Sequence, residues 1–393
     1  MRKIGVGTWE CSDRERELVN QVLDSGRLSY GEKSREFEAQ FSKLHGCKYG
    51  VLSNSGTSSL QVALQAMKEL HGWRDGDEVL VPAVTFVATV NIVLHNKMKP
   101  VLVDVESDYY GIDPDRLYNA MYVGRGQGAK AVIPVHLFGM PCNMEQVRAV
   151  NSALVWPVPK IIEDSCECAF SNHFDEPVGS WGDIACFSTY MAHLITSGVG
   201  GIGITNNSDY AAKMRSLVNH GRDGIYINID DDEKFNEEVV SRRFNFESIG
   251  HSFRVTELEA ALALAQLETW EDMIYKRRRN ASRLTHVLSD LSDRIQLPAI
   301  RPHTQHSFMM YPLVMRDESK WSLCNYLEQH GIETREMMRI IDQPCYAGMW
   351  EPGDYPVAEW IGRGGFYVGC HQGLELDDME YISEAIHEWC KVN

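Results

Sequence analysis

Three short stretches of this chain carry side chains that could do chemistry. Asn54-Ser55-Gly56-Thr57-Ser58-Ser59-Leu60 follows an apolar β-rich run and opens a helical one. Free backbone amides, the positive end of a helix and small hydroxyls together suit a phosphate, although Ser and Thr at a helix start also serve as plain N-caps. Ile161-Ile162-Glu163-Asp164-Ser165-Cys166-Glu167-Cys168 sets two carboxylates at the end of another apolar run. A buried carboxylate is costly unless a cation or hydrogen-bond donors meet it. The stretch from Phe187 to Gly201 holds His193 ahead of a glycine-rich turn, Gly198-Val199-Gly200-Gly201. Imidazole takes and returns a proton at working pH; a lone histidine is equally a surface or satisfied core residue.

These stretches must be positioned by a scaffold, and its pattern is legible. From about residue 49 to 205 short β-rich runs alternate with helical ones: Tyr49–Ser53, Glu78–Val81, Val101–Asp104, Ala131–Val135 and Ile161–Asp164 read as strands. Nearly continuous apolar strands separated by helices mean a mostly parallel sheet covered on both faces. Ligands of such sheets gather at the carboxyl ends of the strands, where all three stretches fall. The spacing of Leu258, Ala261, Leu262, Ala265 and Leu267 predicts one long amphipathic helix from Arg254 to about Leu288. Beyond it, Met309–Met315 and Phe366–Gly369 read as strands, with a closing helix from about Asp377. Residues 222–248, with the acidic run 230–233 and Arg242-Arg243, read as a solvated loop or an active-site lid.

Bulk properties bound the function. At 393 residues the chain exceeds one ordinary core, and two domains are expected, 1–253 and 254–393, with the amino-terminal stretch against the smaller one. A net charge of −17 argues against nucleic acid and against an anionic membrane surface. No run approaches the roughly 20 apolar residues of a spanning helix, and the first residues lack an apolar leader. Ten cysteines without such a leader read as reduced thiols, so a cytoplasmic location is expected.

Taken together, the motifs resemble the DegT/DnrJ/EryC1/StrS sugar aminotransferases, which use pyridoxal phosphate on the type I, aspartate aminotransferase-like α/β fold. That resemblance implies a large domain built on a mostly parallel sheet and a smaller α+β carboxyl-terminal domain. The carrying residues are Tyr49-Gly50-Val51 before Ser55-Gly56-Thr57, Pro82–Thr89, Val132–Gly139, Glu163-Asp164, Ser188 to Gly201, His220-Gly221, Gly250–Arg254, Gly331–Arg335 and Gln343–Tyr346. It implies that Gly56, Thr57 and Ser188 hold the cofactor phosphate, that Phe86 stacks on the ring, and that Asp164 meets the ring nitrogen. Glu167 takes a secondary place near the ring. Ser252 replaces an Asn that reaches the phosphate of the other subunit. Tyr30, in the loop Leu28–Glu32, joins His220, Arg254 and Arg335 as substrate-side candidates.

His193 departs from the family pattern, which has the cofactor-binding Lys five residues after the Ser at 188. No lysine lies between Lys160 and Lys213 to take its place. A histidine here is similar to a subgroup, the pyridoxamine-phosphate-dependent 3-dehydratases of nucleotide-linked 4-keto-6-deoxyhexoses. That likeness implies an untethered cofactor, His193 as acid and base, L-glutamate as amino donor, and a homodimer with shared sites. Two other readings stand beside it: a 4-keto sugar aminotransferase and a non-catalytic vitamin B6-binding protein. Val199 replaces the family's Glu in the glycine-rich turn, which puts the substrate or stereochemistry in question. Cys166-x-Cys168 raises a [2Fe–2S] cluster, but no four cysteines fall at its spacing, and buried structural thiols are the expectation.

Overall fold

The computed structural model describes the chain apart from residues 1, 30, 125, 127, 154–157, 224–243 and 318. Its largest sheet is built from β1 (Tyr49–Ser53), β2 (Glu78–Pro82), β3 (Lys99–Val103), β4 (Ala131–Val132), β5 (Lys160–Asp164), β8 (Ile184–Ser188) and β9 (Gly201–Thr205). A small ribbon of β6 (Asn172–His173), β7 (Glu176–Pro177) and β11 (Thr304–Gln305) lies apart from it. The large sheet has the order β1-β9-β8-β5-β4-β2-β3. All neighbours pair in parallel except β9, which is antiparallel to both β1 and β8. The carboxyl ends of β1, β2, β5 and β8 and the amino end of β9 therefore share one edge. Ser53 and Ser188 both sit opposite Gly201 there.

The helices α1 (Asp13–Ser25), α2 (Glu32–Leu44), α3 (Gly56–His71), α4 (Val87–His95), α5 (Pro114–Tyr122), α6 (Met144–Ser152) and α7 (Ser208–Val218) accompany this sheet. Most of α3 is buried, including Leu60, Val62, Ala63, Leu64 and Met67; each large apolar side chain so buried contributes about 1.5–3 kcal/mol. Gly31 offers no side chain to cap α2. The carboxylate of Glu257 does so instead, accepting the amides of Lys33 (2.8 Å) and Ser34 (3.1 Å).

Two expectations need correction. The strand expected at Ala131–Val135 is regular only to Val132, because Pro134 has no N–H for the ladder. The single helix expected from Arg254 to Leu288 is two: α8 (Glu257–Leu267), capped by Thr256 with Glu259, and α9 (Trp270–Val287). Thr269 leaves helical space (φ −127°, ψ 14°), and Trp270 starts the next helix with its ring stacked on Phe170 at 4.8 Å. Apolar spacing alone does not see that anchor.

The second sheet is antiparallel, in the order β10 (Ile295–Gln296), β12 (Tyr311–Met315), β14 (Gly365–Val368) and β13 (Thr334–Glu336). It carries α10 (Lys320–Gln329), α11 (Pro356–Gly364) and α12 (Leu376–Val392). Leu284, Leu313, Phe366, Ile386 and Trp389 form its core, and Ile4 joins them, bonded through its backbone to Gly331 and Glu333. Backbone pairing of Thr85 with Met338 (3.2 Å) and of Ile340 with Ala83 (2.9 Å) ties the turn after β2 to the segment after β13. Asp104 accepts the first amides of α11 from Val357 (3.0 Å) and Ala358 (2.9 Å). Among the described residues no helix is long and apolar enough to cross a membrane. All ten cysteines are free, and no three His, Cys, Asp or Glu are placed to hold a metal ion among the described residues.

Candidate active site

The shared edge of the large sheet brings the three chemistry-bearing stretches together. At the end of β1, Ser55 caps α3 by accepting the Ser58 amide (3.0 Å), which leaves the first-turn amides of Gly56 and Thr57 without a helical partner. Thr57 is exposed and Gly56 buried. Added at Gly56, a Cβ would stand 2.7 Å from Cys166 Sγ and 2.8 Å from Ser188 Cβ, so the ends of β1, β5 and β8 meet there. At Gly201 it would run into the Ser55 carbonyl and lie 2.5 Å from the Gly56 nitrogen. Glycine is needed here for close approach, while Gly198 (φ 88°) and Gly200 (φ 147°) supply the left-handed backbone of the turn. The result is a cradle of amides and hydroxyls at a helix start, fitted to a phosphate.

Period-2 alternation at the end of β5 sends the paired carboxylates to different tasks. Glu163, fully buried, accepts from His136 Nε2 (3.0 Å), Gly179 N (3.0 Å) and Gly182 N (2.6 Å), and is a structural anchor. Asp164 accepts Thr89 Oγ1 (2.8 Å) and Cys166 N (3.3 Å), with the Cys166 thiol also beside it. It is 5% exposed and has no ion-pair partner among the described residues, and burial pushes its carboxyl up. Such a carboxylate is poised to receive a cation. Phe86, at the start of α4 and 58% exposed, offers an open aromatic face on the same edge. Glu167 accepts the Phe138 amide (2.8 Å); burial, with Asp164 beside it, pushes its carboxyl up to about 7.

His193 sits on the connection between β8 and β9, its amide bonded to the Tyr190 carbonyl (2.9 Å) and its ring edge-on to Tyr190 at 6.1 Å. Burial, with Arg277 adding like charge, lowers its pKa to about 4, so the imidazole is neutral at working pH. Its Nδ1 is buried without a hydrogen-bond partner among the described residues. The base of this loop is closed by Ser197 N to Thr189 O (2.8 Å) and Thr189 N to Gly200 O (2.9 Å). Ser188 Oγ accepts the Tyr190 amide (3.3 Å).

The remaining candidates fall into two groups. His220, Ser252 and Arg254 cluster on the surface, with Arg254 Nη2 at 3.3 Å from His220 Nε2 and 3.2 Å from Ser252 Oγ. Their segment abuts the phosphate turn through Asn54 N to Phe253 O (2.7 Å). Arg335 lies on β13, paired with Glu333 and in register with Tyr367, whose phenol feels the charges of both Glu167 and Arg335. Tyr30 and most of the 222–248 loop lie outside the described residues. Sequence reading missed Thr89, one helical turn beyond Thr85, and Gln266, the one polar residue in Ala260–Leu267; a polar group interrupting an apolar helical run was the available signal.

A reversed strand in a parallel sheet, a helix-start phosphate cradle, a buried lone Asp and an open aromatic define the type I architecture of pyridoxal-phosphate-dependent transferases. The chain belongs to the DegT/DnrJ/EryC1/StrS aminotransferase family, which matches residues 10–387. It is 31% identical to GDP-perosamine synthase of Caulobacter vibrioides over 98% of each chain. It is 29% identical to dTDP-4-dehydro-2,6-dideoxy-D-glucose 3-dehydratase of Saccharopolyspora spinosa, over 95% of this chain and 83% of that one. Among solved structures, the E. coli GDP-4-keto-6-deoxy-D-mannose-3-dehydratase with bound hydrated PLP superposes with a TM-score of 0.87 at 22% identity, covering 98% and 99% of the two chains. The family is one of sugar-modifying enzymes, and its members include both aminotransferases and dehydratases.

Proposed function

We propose that this protein is a pyridoxamine-phosphate-dependent 3-dehydratase of a nucleotide-linked 4-keto-6-deoxyhexose. The observation that carries this reading is His193, a proton-transfer group held on the β8–β9 loop where a tethering lysine is required for ordinary amino transfer. When bound, the cofactor supplies an amine that captures a ketone and a ring that takes up electron density. The protein's own residues do the rest. Gly56, Thr57 and Ser188 bind the phosphate, Phe86 covers the ring, and Asp164 pairs with the ring nitrogen. The neutral imidazole of His193 takes a proton. Once charged beside Arg277 in a buried site it is a strong acid, suited to protonating the departing C3 hydroxyl.

Nucleotide-sugar chemistry in the related enzymes supports the substrate class, with L-glutamate as the amino donor that renews the cofactor. The exposed cluster His220, Ser252 and Arg254, next to the phosphate turn, fits a homodimer in which each copy completes its partner's site. A second reading, amino transfer at C4 with His193 as base, is favoured by the aminotransferase relative. Mass spectrometry of the product from a nucleotide-linked 4-keto-6-deoxyhexose separates the two. With L-glutamate present, the expected product has its C3 hydroxyl replaced by hydrogen, one oxygen lighter than the substrate with the C4 ketone kept and ammonia released; a product that keeps its C3 oxygen and gains an amine overturns the dehydratase. The variant His193→Lys should form a yellow, borohydride-reducible adduct with pyridoxal phosphate and lose dehydration at least about 10²-fold. A variant that dehydrates as fast as the parent removes His193 from the mechanism.

A further inference from the structure

A lysine bonded to its coenzyme is held in place by that bond; a histidine is held only by its loop. The loop from Tyr190 to Ser197 is fastened at its far side by one side chain. Gln266, in the last turn of α8, accepts the Thr196 amide through Oε1 (2.8 Å) and donates Nε2 to the Thr196 carbonyl (2.5 Å). The same Nε2 donates to Glu15 Oε1 (2.9 Å). A single amide thus pairs with both backbone groups of Thr196 as a neighbouring strand would, and Thr196 Oγ1 reaches back to the His193 carbonyl (3.4 Å).

The clamp is itself oriented. Glu15 is 2% exposed and accepts from Trp9 Nε1 (3.0 Å), the Ser12 amide (2.6 Å) and Ser12 Oγ (2.8 Å) as well as from Gln266. A carboxylate only accepts, so it obliges Gln266 to turn its NH2 inward and leaves Oε1 free for the Thr196 amide. The break after α8, at Glu268–Thr269, leaves Gln266 in the last turn before the chain changes course into α9.

We propose that Gln266 is the positioning residue for His193, acting through Thr196 and oriented by Glu15. This rests on the reading of His193 as the proton-transfer group. The two helices α1 and α8 replace, by hydrogen bonds, the fixation that a covalent tether gives. Loss of alignment of a reacting group by ~1 Å costs on the order of 10²-fold in rate.

The test uses full-length protein loaded with pyridoxal phosphate and compares the parent, Gln266→Leu and Gln266→Glu. One arm follows conversion of the bound cofactor to its amine form by L-glutamate. The other follows amide hydrogen exchange of the peptide covering 190–197, and a titration gives cofactor affinity. Gln266→Leu should exchange at 190–197 at least tenfold faster and convert at least tenfold slower, with affinity within threefold of the parent. Gln266→Glu repels Glu15 and the Thr196 carbonyl while ionised, so its rate should recover as pH falls and the introduced carboxyl protonates. Neither the parent nor Gln266→Leu should show that recovery, which a purely structural role would not produce. Unchanged protection at 190–197, or lost protection with an undisturbed rate, overturns the assignment. A parent that does not convert at all sinks the function proposed above, and the exchange arm then still reports whether Gln266 holds the loop.

Discussion

Replacing Asp164 by Asn should make the cofactor-free protein more stable and the cofactor-bound protein worse. Asp164 is buried, its two oxygens meet the Thr89 hydroxyl and Cys166 but no cation among the described residues, and burial raises its pKa. Its ionised form is therefore a cost to the cofactor-free fold. A carboxyl raised on folding favours the folded state below its unfolded pKa, and that contribution is lost as pH rises through the folded value. Asn fits the same space. Thr89 shares a hydrogen bond with Thr85 (2.8 Å) in which either hydroxyl can donate, so the pair can reverse to accept an amide N–H. Relief of an under-partnered buried charge is worth about 1–3 kcal/mol. The same change deletes the charge proposed to meet the ring nitrogen, about 1.5–3 kcal/mol of binding, or roughly 10–100-fold in Kd. Thermal unfolding at pH 8 with and without pyridoxamine phosphate checks both signs: Asp164→Asn should melt higher alone and gain less from the cofactor. At pH 5 the cofactor-free difference should shrink. A variant that melts lower alone, or gains as much from the cofactor as the parent, refutes the argument that Asp164 is kept charged for a cation.

Two further outcomes follow from the site. Gly201→Ala drives a methyl group into the Ser55 carbonyl; overpacking of about 1–3 kcal/mol should lower cofactor affinity at least tenfold in a fluorescence titration, whereas Gly72→Ala on the open surface should leave affinity unchanged. As the proposed base in conversion by L-glutamate, His193 would act in its neutral form, and burial puts its acid limb at about 4. Glu167, pushed up to about 7, is the group that titrates nearer neutrality. An acid limb near pH 7 in the parent, the rate falling as Glu167 protonates, that disappears in Glu167→Gln and leaves a flat profile from pH 6 to 8 is expected; an acid limb near 6.5 surviving in Glu167→Gln would show His193 unshifted.

The chemistry was more legible than its support. Ser55-Gly56-Thr57 and Asp164 could be picked out because each closes or follows a nearly continuous apolar strand, while Phe86, Ser188 and His193 took their places from the family resemblance; the parallel sheet brings the strand ends to one edge. The reversal of β9 was not legible: Gly201–Thr205 is buried on every residue, and direction leaves no trace in such a run. The break between α8 and α9 was missed because the apolar spacing continues across it, while the cause, Trp270 on Phe170, is a contact between residues 100 apart in the chain. Glu15 escaped for the same reason, and so did the partners of Gln266, although its place in an apolar run marked it. A polar side chain on a helix reads as solvent-facing until its partners from another element are known.

The pairing of residues 83–85 with 338–340 gives the aromatic platform an unusual dependence. Phe86 stands directly after that pairing, and Tyr346 adds a hydroxyl bond to Asn91 (2.6 Å) one turn further along α4. The smaller lobe therefore sets the tilt of the surface on which the coenzyme ring would rest. Any movement of that lobe would carry the platform with it.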